Sequence, residues 1–161
     1  MNPYREPDPE LDLTISRIIA APRQDVWGAW ADPRNLEKWW LPAPAKCRVN
    51  ELDLRPGGAF RTEMSGDGGE FQPHLDACFL DVEEGSRIAF TTALKGDWRP
   101  AEGGLIISAV ITLTDHPDGT AYESLVMHAT PGERDRHDEL GFQEGWGTTN
   151  RQLAELVEPR G

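Results

Sequence analysis

The sequence predicts an α+β fold in which a curved antiparallel sheet of six or seven strands surrounds a long C-terminal helix, with two short helices after the first strand. Three observations predict it. Apolar residues alternate with a period of two in short runs bounded by Gly- and Pro-containing turns. Those turns are too short for parallel crossovers, so neighbouring strands must pair antiparallel. After the last such run the apolar spacing changes to that of a helix, and proline disappears. A single sheet and a single amphipathic helix can bury their apolar faces only against each other, and sheet twist supplies the hollow that takes the helix.

Each element follows in order. Residues 1–10 carry three prolines and charges without an apolar face, and read as a flexible lead-in to one domain spanning 11–161. In residues 11–20, Leu11, Leu13, Ile15 and Ile19 share one strand face. Pro22 stands where a helix can begin, because its missing N–H needs no partner there. Val26, Trp27 and Trp30 follow at helical spacing until Asp32-Pro33, and a second short helix is expected over 35–40, before Pro42 and Pro44. Strands are then expected over 48–54, 59–64, 71–82, 87–94, 105–114 and 121–130. The Pro56-Gly57-Gly58, Gly66-Asp67-Gly68-Gly69, Glu84-Gly85 and Asp118-Gly119 signals separate them. The closing helix is expected from about 135 to 157, with Phe142, Trp146, Thr149, Leu153, Leu156 and Val157 on one stripe. Gly141, Gly145 and Gly147 weaken it by up to about 1 kcal/mol each and permit close approach to a sheet.

Composition excludes several classes of function. Sixteen basic residues against twenty-eight acidic ones give a formal charge of −12 without a basic stripe. Nucleic acid, which demands a cationic surface, is therefore not expected as a partner, nor is an anionic membrane. No apolar run approaches the roughly 20 residues of a membrane span, so membrane insertion is not expected either. With only Cys47 and Cys78 there is no disulfide framework, and the cytoplasm is the expected location.

The segments ISRIIAAPRQDVWGAWADPRNLEKWW, LDLRPGGAFRTEM and GFQEGWGTTNRQLAELV resemble the START-like, or SRPBCC, superfamily over about residues 11–157. More narrowly they resemble its branch named for the heat-shock-protein-90 ATPase activator and its bacterial homologues. The resemblance implies a helix-grip (Bet v-like) fold with an internal cavity for small hydrophobic ligands such as lipids or polyketides. Some members act as cyclases or hydrolases. The eukaryotic activator carries an additional chaperone-binding domain without a counterpart in 161 residues, so chaperone activation is not expected. Related sequences often place His before Glu-Gly-Trp; here that position is Gln143, which speaks against acid–base chemistry there.

The side chains expected to line such a cavity are Trp30, Trp39, Trp40, Phe60, Met64, Phe90, Trp98, Met127, Phe142 and Trp146. The competing reading is that they simply fill the core. Trp39 and Trp40 would point about 100° apart on a helix, forming either a gate or packing against the C-terminal helix. Arg17, His74 and Asp76 are the candidate polar groups of the cavity, with Glu63 added if the protein is an enzyme. Arg17 shares parity with an apolar strand face and must find water, a carboxylate or an anionic ligand. His74 and Asp76, two apart on a strand, should share a face. His128 and His137 complete no recognisable metal spacing, and no metal or other cofactor is expected. Ser65, Ser108 and Ser124 lack a predicted base, and no catalytic residue is assigned. Cys78 is expected in the core and Cys47 at the surface, neither activated. Binding of a small hydrophobic molecule is the leading expectation, followed by cyclase- or hydrolase-type catalysis. Protein interaction is the third class, through chaperone association or homodimerisation by an exposed sheet face.

Overall fold

The computed structural model describes residues 6–66 and 68–159; residues 1–5 of the expected lead-in and Asp67 lie outside them. Strand β1 (Asp12–Ile19) is followed by α1 (Arg23–Ala31) and α2 (Pro33–Leu36). Strands β2 (Lys46–Leu52), β3 (Ala59–Ser65), β4 (Gln72–Glu83) and β5 (Arg87–Thr91) come next. A miniature hairpin, β6 (Leu94–Lys95) and β7 (Arg99–Pro100), precedes β8 (Ser108–His116), β9 (Gly119–Met127), α3 (Pro131–Glu139) and α4 (Phe142–Val157).

The main sheet has seven antiparallel strands in the order β1-β9-β8-β5-β4-β3-β2. From β2 to β9 it is the expected meander, interrupted only by the β6–β7 hairpin. The chain reaches its far edge by sending β1 against β9 and carrying α1 and α2 across to β2.

Local chemistry sets the helix ends. The carboxylate of Asp32 accepts from the Arg34 N–H at 2.8 Å and caps α2. That helix occupies only 33–36, so Trp39 and Trp40 lie in an irregular turn rather than on the helix expected over 35–40. The C-terminal helix is also two helices, not one. Gly141 adopts φ +100°, a left-handed conformation that ends α3 and reorients the chain into α4. Thr130 caps α3 through the Glu133 N–H.

The Gly57-Gly58 pair explains itself through backbone contacts. A Cβ on Gly58 would overlap the Asp53 carbonyl oxygen. Both glycines hydrogen-bond Phe79 of β4, at 2.8 and 2.9 Å, stitching the β2–β3 turn to the sheet. The core is one cluster in which α1 contributes Val26, Ala29 and Trp30 and α4 contributes Phe142, Leu153 and Ala154. Leu156, expected on the buried stripe, is 37% exposed, and buried Asn150 holds an inner position instead.

Candidate functional site

A pocket of about 270 Å³ lies between the sheet and α4. Gly145, Trp146, Thr149 and Asn150 form one face of α4 at i, i+1, i+4 and i+5, and all four line it. Opposite stand Phe90, Ile111 and Tyr122 of the sheet, with Trp30 of α1 and the Trp39–Pro42 segment closing one side. That segment is tied to α4 by Gln152. Its amide nitrogen donates to the carbonyls of Trp39 and Leu41 at 3.1 and 2.8 Å, and its oxygen accepts from the Ala43 N–H at 2.8 Å.

Aromatic packing fixes the wall. Trp30 meets Trp39 and Trp40 edge-on at 5.3 and 5.2 Å, and Trp40 reaches Phe90 at 6.2 Å. The Trp39 indole N–H donates to the Ala29 carbonyl, and that of Trp30 to the Tyr122 hydroxyl, both at 2.9 Å. Gly145 opens space rather than allowing close approach, since a Cβ there would have no neighbour within 4 Å. Gly147 is in ordinary contact range, its Cβ position 3.6 Å from Ile15 Cδ1.

Polar groups on this apolar wall are few. The Trp40 indole nitrogen and the Asn150 amide nitrogen are buried and have no hydrogen-bond partner. The Tyr122 hydroxyl accepts from Trp30, and burial raises its pKa, so the phenol stays protonated. His74 is the only other titratable group on the wall; its side chain is open to solvent on one side, and partial desolvation lowers its pKa and favours the neutral imidazole.

His74 reaches the pocket through a β-bulge. Thr62 of β3 pairs with Leu75 and Glu63 with Pro73, leaving His74 as the extra residue. The bulge sets His74 beside Leu75, and its Nδ1 lies 3.1 Å from the Thr62 hydroxyl. Asp76 does not line this pocket and shares only an open outer cleft with His74. Paired with Arg61, it lies in a surface cleft with Lys95, because the bulge breaks the alternation that the two-residue spacing assumed.

The remaining expected site residues distribute as follows. Trp30, Trp39, Trp40, Phe90 and Trp146 line the pocket. Phe60 is fully buried and packs against Trp30, Trp40, Phe79 and Phe90 without lining it. Phe142 is buried against His137 and Trp146, and Met64 and Met127 are half-buried near strand ends away from the wall. Trp98 is 50% exposed and covers Gly57, because the β6–β7 hairpin carries it outward. Arg17 keeps its parity, standing opposite Tyr122. It lies on an edge strand, however, and its side chain reaches solvent, with no ion pair among the described residues. Glu63 is held by Arg48 and Asn50 at 3.4 and 3.1 Å. Tyr122, Asn150 and Gly145 were not singled out as site residues. Asn150 had a legible signal, since it sits four residues after Trp146 and three before Leu153, in the middle of an apolar stripe.

Elsewhere the reactive residue types are held quietly. Cys78 is buried, and the half-buried Cys47 thiol is pushed up to about 12 by burial and the nearby Glu37 charge. His128 and His137 meet at 2.8 Å, with His128 also on the Leu11 carbonyl. The His137 pKa is lowered by burial and by His128. No cluster of metal-binding residues occurs among the described residues. Other clefts, of about 310 to 380 Å³, are open surface depressions whose walls carry ion pairs such as Arg23–Asp115 and Arg61–Glu51 or, at β1 and β9, mostly polar groups. Ser65 and Ser108 donate to Gly69 and Thr91, and Ser124 has no base beside it.

A seven-stranded antiparallel sheet closed over a C-terminal helix, with an aromatic pocket at their junction, defines a helix-grip domain of the START-like, or SRPBCC, type. Residues 20–158 match the family described as "Activator of Hsp90 ATPase homolog 1-like protein", and the chain belongs to that family. It is similar to a crystal structure of a Nitrosomonas europaea protein, with 43% identity, a TM-score of 0.86 and coverage of 95% of this chain and 97% of that one. A Mycobacterium smegmatis protein is 29% identical with a TM-score of 0.77, covering 97% and 96%. A solution structure of an AHSA1-like protein from Aeromonas hydrophila shares the fold at 21% identity and a TM-score of 0.67, covering 93% and 97%. No curated protein matches the chain. No helix among the described residues is long and apolar enough to cross a membrane.

Proposed function

We propose that this protein binds a small, predominantly apolar molecule in the pocket between the sheet and α4. The observation that carries the reading is the space itself. About 270 Å³ stands open beside Gly145, within a wall of tryptophan, phenylalanine and isoleucine. Ligand sites typically measure about 300–1,000 Å³ and combine an apolar wall with a few polar groups. This one falls just below that range and suits a compact ligand of one or two rings.

The test is a thermal-shift and native mass-spectrometric screen of hydrophobic small molecules against the wild type and Gly145→Leu. The leucine enters the pocket from a helix position that prefers almost any residue to glycine, so the variant should fold and melt no lower than the wild type. Binders should raise the wild-type Tm and leave the variant unmoved. Stabilisation of both proteins alike, or of neither, overturns the proposal.

A second reading rests on His74. A neutral imidazole on the wall, held by Thr62, is placed to exchange a proton with a bound molecule, as cyclase-type catalysis would require. Turnover of a bound ligand that His74→Gln abolishes without weakening binding would establish it. Binding without turnover leaves the first reading standing.

A further inference from the structure

Two side-chain donors on residues of the pocket wall lack acceptors. The Trp40 indole N–H can only donate, and its nitrogen is buried without a partner. The Asn150 amide nitrogen is in the same position, on a residue only 3% exposed. Tyr122 spends its oxygen accepting from Trp30 and still has a proton to give. The neighbouring Thr149 hydroxyl, by contrast, is satisfied by the Trp146 carbonyl at 3.1 Å. Whichever way the Asn150 amide is turned, the Trp40 indole N–H remains a donor in need of an acceptor. Buried donors left unpaired are costly, and an acceptor brought by a ligand relieves that cost.

Charge narrows the choice further. The lining contains no Lys or Arg; Tyr122 is buried as the neutral phenol, and the partly desolvated but solvent-exposed His74 has its pKa lowered. A carboxylate or phosphate entering this space would lose its water without gaining a cation. A ketone, lactone or similar carbonyl loses far less and offers two lone pairs.

We infer that the pocket selects an uncharged ligand with an apolar ring body and a carbonyl-type acceptor, read by Trp40, Asn150 and Tyr122. This rests on the pocket-binding reading above and specifies its ligand class.

Three probes of one shape separate the possibilities: 2-acetylnaphthalene, 2-isopropylnaphthalene and 2-naphthoate at pH 7. Tryptophan fluorescence titration of the full chain gives each Kd. The ketone should bind about tenfold or more tighter than the hydrocarbon, as expected of a site whose buried polar groups are otherwise unpaired. The carboxylate should bind more weakly than the ketone. Trp40→Phe keeps a ring but deletes the N–H, and Asn150→Leu keeps the shape but deletes the amide. Either should collapse the ketone's advantage and leave hydrocarbon affinity within about twofold, a readout that misfolding would not produce. Equal affinity for ketone and hydrocarbon overturns the inference while sparing the pocket, as does an advantage that survives both variants. Tightest binding by the carboxylate overturns the uncharged class. Failure of all three probes to bind refutes the pocket reading along with the inference.

Discussion

Replacing Tyr122 by phenylalanine removes a single oxygen from the centre of the molecule. Tyr122 is 1% exposed and Trp30 fully buried, and among the described residues their 2.9 Å hydrogen bond is the only one either side chain makes. Without the hydroxyl the Trp30 indole N–H is buried and unpaired, at a cost of about 1–3 kcal/mol. In a chain of 161 residues, 2 kcal/mol lowers Tm by about 4–8 °C. The assay is thermal unfolding followed by tryptophan fluorescence and circular dichroism. An independent readout comes at high pH. Burial raises the Tyr122 pKa above its ordinary value of 10.0, so the folded state keeps a proton that the unfolded chain releases. That contribution is fully present below pH 10 and is lost as pH rises through the higher folded value. The wild type should therefore lose stability above pH 10 more steeply than Tyr122→Phe. The raised Cys47 thiol is common to both proteins and cancels in the difference. A Tm change under about 1 °C with parallel alkaline limbs would refute the reasoning, since a buried pair of this kind cannot be lost silently.

Two glycines should respond in opposite directions to alanine. At Gly145 the added methyl meets nothing and helix propensity improves, so Tm should rise by about 2–4 °C. At Gly58 it strikes the Asp53 backbone, and a loss of about 3 kcal/mol or outright failure to fold is expected in the same melting assay. At acid pH the sign follows the histidines. His74 and His137 both have folded pKa values below the 6.5 of the unfolded chain. Their stabilising contribution is thus present above pH 6.5 and is lost as pH falls through the folded values. Urea unfolding between pH 7 and 5 should show declining stability, and His137→Gln should flatten that decline.

Much of the architecture is readable from sequence because it depends on local periodicity. The alternation in β1, the Gly-containing turns and the stripe on α4 each follow from a side chain's position along its own element. Where tertiary contacts intervene, the local reading fails. The helix expected over 135–157 breaks at Gly141, because a left-handed glycine costs nothing and lets α3 fold back. Trp98 looked like a cavity residue by type, yet a hairpin displaces it onto the Gly57 turn. His74 reaches the pocket without Asp76 because one bulge resets the parity of β4.

The sequence alone determined the class of fold, the antiparallel meander and the aromatic stock from which a pocket wall is built, since all three are encoded in spacing and residue type. Only the tertiary structure decided that β1 closes onto β9, that Gln152 ties the Trp39–Pro42 segment to α4, and that Trp40 and Asn150 are left unpaired on an uncharged wall. The reason is physical. Periodicity tells which side of its own element a residue faces. Whether a buried donor finds an acceptor depends on atoms a hundred residues away in the chain, brought within about 3 Å only by the fold.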